Sequence, residues 1–210
     1  AILQAFKRRE VYATTGPRIV VRFDGGWYPP LAESAAAQAS DAPLTAQNSP
    51  TAVPMGSDLP TPAPLDRVPG FAVSAMKDPK GANLDRIQII KGWVDTQGES
   101  HERIFDVAWS DARTTDVDGA VPAVGNTVDT ATASYQNSIG APTLQALWQD
   151  PDFDPAQSAF YYARVLQIPT PRHSLYDAVA LGQPPTGKWP ASLQERAYTS
   201  PVWYQPRTGR

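Results

Sequence analysis

The chain contains no cysteine, and that absence removes disulfides, thiolate metal sites and cysteine nucleophiles at once. Histidine is nearly as scarce. Only His101 and His173 occur, in a predicted turn and a predicted loop, where a catalytic metal would need several converging ligands. Both are expected to be ordinary exposed or packed side chains, with no metal bound by this chain. No apolar run approaches the roughly 20 residues that cross a bilayer as a helix, and nothing has the build of a signal peptide. A GxSxG elbow, a Walker loop and a GxGxxG run are all missing, which withdraws the usual support for serine hydrolase, nucleotide-binding and Rossmann readings. Positive charge is short as well. The net charge is −3, the pI is near 5.3, and the one cationic cluster, Lys7–Arg9, sits where a helix end favours cations, so no nucleic-acid footprint is present.

What is there favours β-structure. With 210 residues and 41% hydrophobic content the chain can bury a core, and its 22 prolines and 14 glycines point to a loop-rich domain rather than to a helical bundle. The first residues are the exception. Ile2, Leu3, Ala5 and Phe6 recur at helical spacing, and Thr14-Thr15-Gly16-Pro17 stops the pattern. No Ser, Thr, Asp or Asn precedes Ile2 as an N-cap and no Met opens the chain, so the sequence is expected to be the C-terminal part of a longer protein.

Arg18–Phe23 alternates like a strand and is expected to end in a turn at Asp24-Gly25-Gly26. From Tyr28 to Asp66 the composition shifts to nine alanines, eight prolines and no Lys or Arg, which predicts an irregular surface excursion with at most two helical turns over Ala32–Ala39. Strands are predicted at Gly70–Met76, Leu84–Val94 and Glu102–Ser110, the last two forming a hairpin around Asp95–Ser100. In the second arm Phe105, Val107 and Trp109 alternate with Ile104, Asp106 and Ala108, so one side faces a core. A loop is predicted over Asp111–Asp129 and a strand over Thr130–Gln136. In the long strand Ala159–Ile168, Phe160, Tyr162, Leu166 and Ile168 share a face with Arg164, which predicts a buried ion pair for that arginine. After a loop at Gly182–Pro190, Glu195–Tyr204 reads as an edge strand because Pro201 removes a ladder donor. Six to eight strands with long loops make an antiparallel β-sandwich-like domain.

Two constellations invite a chemical reading. Asp150, Asp152 and Asp154 in D-P-D-F-D-P begin like a calcium loop, but Pro155 and Tyr161 stand where Gly and Glu are required. They serve better as an acidic turn or an anchor for Arg164 or Arg172. A stand-alone enzyme would use Asp152 and Asp154 as an acid and base pair. The aromatics Trp148, Tyr161, Tyr162, Trp189, Tyr198, Trp203 and Tyr204 line either a core or a cleft for a peptide or sugar, core being the commoner use at strand spacing.

Six stretches carry a family resemblance: Arg8-Arg-Glu-Val-Tyr-Ala-Thr-Thr-Gly-Pro-Arg-Ile19, Gly25-Gly-Trp27, Asp85-Arg-Ile-Gln-Ile-Ile-Lys-Gly-Trp93, Asp150-Pro-Asp-Phe-Asp-Pro155, Phe160-Tyr-Tyr-Ala-Arg-Val-Leu166 and Gln194-Glu-Arg-Ala-Tyr-Thr-Ser-Pro-Val-Trp-Tyr204. Together they resemble the C-terminal third of a large bacterial family of unassigned function, similar to the polymerase-and-histidinol-phosphatase (PHP) and carbaryl-hydrolase-like metallohydrolases. The resemblance implies an upstream α/β barrel that binds divalent Mn, Zn or Fe. Residues 1–19 would then be the barrel's terminal helix and crossover, and residues 20–210 a non-catalytic sandwich-like tail bracing it. It also implies a small ester substrate, with a periplasmic or secreted location favoured. Thr15 and Arg18, in the turn after the helix, are the candidate substrate-binding residues, Arg18 as a phosphate or carboxylate donor. The competing reading is an independent binding or assembly module for a partner or glycan.

Overall fold

The computed structural model describes residues 1–30, 51–61, 63–64, 66–117 and 119–206. The helical turns expected over Ala32–Ala39 lie outside the described residues. In chain order the elements are α1 (Ile2–Lys7), β1 (Tyr12–Thr14), β2 (Val20–Tyr28), β3 (Val53–Pro54), β4 (Val68–Met76), β5 (Leu84–Val94), β6 (Ser100–Trp109), β7 (Thr143–Gln149), β8 (Ala159–Gln167), β9 (Thr170–Pro171), α2 (His173–Ala180), β10 (Ser192–Leu193), β11 (Arg196–Thr199) and β12 (Val202–Tyr204). One sheet runs β1-β11-β8-β5-β6, with β12 also on β8, and a second runs β3-β2-β4-β7; β9 and β10 form a small ribbon. All strand pairs are antiparallel, and the sheets share one core: the domain is mainly β and sandwich-like.

Alternation explains the layering. In β2 and β4, Val21, Phe23 and Trp27 point inward with Phe71, Val73 and Ala75, and they meet Ile87, Ile89, Tyr161, Ala163, Val165 and Val202 of the other sheet. Phe71 lies at the centre, its ring centroid 4.3 Å from that of Tyr161 and 5.7 Å from that of Phe23.

Several expectations change. Asp24-Gly25-Gly26 is no turn, since β2 runs through it to Tyr28 in continuous register with β4. A Cβ on Gly25 would stand 3.0 Å from Val202 Cγ1 and 3.1 Å from Phe71 Cε1, so the glycine admits core side chains against the backbone. The inward face of β8 is Ala159, Tyr161, Ala163 and Val165, and Phe160 and Tyr162 are outward, because the register with β5 places the small residues against the second sheet. Residues 130–136 hold no strand. Asp129 instead closes a tight loop, accepting hydrogen bonds from the Ala131 N–H and the Thr132 hydroxyl, both of which lower its carboxyl below the usual range. The strand in this region is β7, where Leu144 and Ala146 face the core. His173 opens α2 rather than lying in a loop. Glu195–Tyr204 divides at Ser200-Pro201 into β11 and β12, and β11 is no edge, because β1 pairs along its other side.

The long loop after β6 is held by arginines rather than by ladders. Arg86 donates to the Val121 and Pro122 carbonyls, and Arg113 to the Pro122 and Asp85 carbonyls. The buried Asp85 has Arg86 Nε 3.2 Å from one carboxylate oxygen and Arg113 Nη1 2.8 Å from the other, the latter a charge contact without hydrogen-bond alignment.

Gly56 ties the N-terminal segment to the sandwich. Its φ is +87°, and a Cβ there would lie 2.2 Å from the Arg9 carbonyl oxygen. The left-handed backbone and the clash with main chain together predict that Gly56→Ala destabilises the domain by roughly 2–4 kcal/mol in urea denaturation.

Candidate functional site

The TTGPR turn is clamped between two acids. The Thr15 hydroxyl donates to Glu195 and accepts the Arg196 N–H at 2.9 Å, which fastens the turn to β11. At the other end the Arg18 N–H donates to Asp78 Oδ2 at 2.8 Å, and the Lys80 N–H donates to Asp78 Oδ1 at 2.9 Å. The Arg18 N–H first, then the Lys80 N–H, hold the Asp78 carboxyl below its ordinary range. The exposed Arg18, with Asp78, Pro79 and Lys80, borders a shallow depression of about 350 Å³. The Arg18 side chain is thus exposed beside the Asp78 carboxylate, and the Thr15 hydroxyl is engaged by Glu195 and Arg196.

The D-P-D-F-D-P segment is spent on structure. Lys91 Nζ lies 2.6 Å from Asp150 Oδ2 and donates to the Asp152 carbonyl at 2.8 Å, and the Tyr161 hydroxyl donates to Asp150 at 2.6 Å. Both side chains of the ion pair are buried. Burial, and then the Asp150 carboxylate, push the Tyr161 phenol well above its usual range, so it remains a donor. Asp152 pairs with Arg103 at 2.5 Å and Asp154 accepts the Ala156 N–H. The expected anchors differ too. Arg164 donates to the Gln88 side-chain oxygen and Arg172 to the Pro190 carbonyl, because Arg164 belongs to the outward face of β8.

The aromatics divide. Tyr161 and Tyr204 are core with Trp148 packed against them, Trp189 is exposed on the 182–190 loop, and Trp203 reaches a cleft at one end of the larger sheet. Two successive rungs cross that cleft and alternate in face: the side chains of Glu102, Phe160 and Trp203, with Gly92 between, share the outward face, and those of His101, Trp93, Ala159 and Tyr204 the other. Its volume is about 400 Å³, and its walls are mainly apolar. Phe160 lies across Gly92, where a Cβ would come within 2.3 Å of the ring, and the ring stays 37% exposed. His101 stacks on Trp93 with centroids 5.2 Å apart, and its Nε2 lies 2.6 Å from Asp95 Oδ2. That contact, with the Glu99 and Gln97 N–H groups, holds the Asp95 carboxyl below its ordinary range. Sequence reasoning named Trp203 and Tyr204 but missed Gly92, Trp93, His101 and Phe160, which only the strand register brings together.

Among the described residues no group of three or more His, Asp or Glu side chains is arranged to hold a metal ion. No curated protein and no solved structure matches the chain. One family does match, over residues 1–206, and it is described as a protein of unknown function, DUF3604. By that match, which takes in both sheets and the clamped turn, the chain belongs to the DUF3604 family.

Proposed function

We propose that this chain is the non-catalytic β-rich portion of a metal-dependent hydrolase of the PHP-like kind, acting on phosphoesters, with the metals held by an upstream barrel. The observation that carries the reading is α1. Its large apolar side chains are all exposed, Ile2 by 77%, Leu3 by 66% and Phe6 by 62%, and none of its residues is buried. A six-residue helix is marginal in water, and most helical stability comes from packing an apolar face, so this face calls for a second body. The barrel supplies it, and residues 1–19 are the seam.

On this reading Arg18 borders the catalytic cleft and meets the substrate phosphate, for which a guanidinium is the fitting donor. Thr15 holds the turn through Glu195 and Arg196. In the longer protein, supplied with Mn, Zn or Fe, p-nitrophenyl phosphate is hydrolysed, and Arg18→Ala raises KM about tenfold, the value of one charge-assisted hydrogen bond, with kcat little changed. A longer protein inactive with every one of these metals overturns the proposal.

A further inference from the structure

The cleft between Phe160 and Trp203 has no task in bracing a barrel, and its construction is specific. Gly92 makes room for the Phe160 ring over β5, and Trp203 stands beside it as its cross-strand neighbour. Trp203 is itself held: the Arg9 guanidinium packs 4.5 Å from its ring centroid, and Arg9 keeps a left-handed φ of 60° to do so. His101 and Trp93, one rung along, turn their stacked side chains to the other face of the sheet, the face of Ala159 and Tyr204. Ser100, Ser158 and Gln205 add neutral polar groups, and Glu102 is the one acid of the lining.

We propose that this cleft binds a sugar ring of a neutral glycan. An exposed aromatic ring offers a flat apolar surface to the C–H face of a pyranose, while donors and acceptors at the edge take its hydroxyls. The charge of the site argues against the alternatives. Glu102 repels an anion at the rim, and no cluster of carboxylates awaits a cation. An acyl chain would need a channel closed to water, whereas this cleft is open along one side.

The test is a titration of the 210-residue chain with cellohexaose, maltohexaose, xylohexaose and mannohexaose, followed by amide and indole N–H resonances. At least one hexaose should bind saturably, with Kd below about 1 mM, and shift the indole of Trp203. Phe160→Ala, at an exposed position, should weaken binding about tenfold, while Trp189→Ala on the distant loop and His101→Ala on the other face of the sheet leave it unchanged. Two results overturn the proposal. One is no shift of the cleft by any hexaose at about 10 mM, including the case where octyl glucoside alone shifts it and the cleft takes an alkyl chain. The other is binding that persists undiminished in a folded Phe160→Ala protein.

Discussion

Lys91→Met should cost the domain about 3–5 kcal/mol, because it strands the Asp150 carboxylate inside the sandwich without its counter-charge. Asp150 follows β7 in the smaller sheet, while Lys91 and Tyr161 belong to the larger, so this buried pair is a polar bridge between the layers. Of the contacts made to Asp150, the Tyr161 hydroxyl and the Asp152 N–H would remain, two neutral donors to a full negative charge. Removing both charges is a different matter. The double variant Lys91→Met/Asp150→Asn should regain most of the loss, since a buried pair contributes little net stability over neutral groups of similar size. Urea denaturation of the parent, both single variants and the double variant closes the cycle. A cost of under about 1 kcal/mol for Lys91→Met would mean that water reaches the carboxylate.

The second large effect lies in the core. Phe71 is fully buried and touches the rings of Phe23, Trp148 and Tyr161, with Gly25 opposite giving it room. Truncation to Ala removes most of the side chain from the place where the sheets meet, and a well-packed site cannot collapse around so large a void. Phe71→Ala is therefore expected to lose about 3–5 kcal/mol, and Phe71→Leu, which keeps much of the volume, less than half of that. Chemical denaturation monitored by tryptophan fluorescence measures both. Equal costs for the two variants would show that ring stacking rather than filled volume dominates there.

How far the sequence discloses the fold depends on whether a residue's role is local. Strands β4, β5, β6 and β8 are legible because alternation or unbroken apolar character runs over nine residues or more. Gly25 and Gly26 mislead for the opposite reason: their turn chemistry is real, but their place is set by Phe71 and Val202 against Gly25 and by pairing with β4, all distant in sequence. Strand β7 is only seven residues of mixed propensity, and α2 buries just Leu175 and Ala178, so neither presents a strong periodic signal. The candidate sites follow the same rule. The Thr15–Arg18 turn is contiguous and could be singled out from sequence, whereas its clamps, Glu195 and Asp78, could not. The cleft draws on four strands, and no stretch of sequence shows that Gly92, His101, Phe160 and Trp203 are neighbours.

The claim that this domain braces a catalytic barrel through α1 meets its most direct test in hydrogen exchange on the N-terminal segment. In the isolated chain the amides of residues 2–7 should exchange almost freely, as a short exposed helix requires. In the longer protein the same amides should be protected about a hundredfold or more, the effect of holding them closed by roughly 3 kcal/mol of packing. Equal, unprotected exchange of α1 in both proteins would contradict the account.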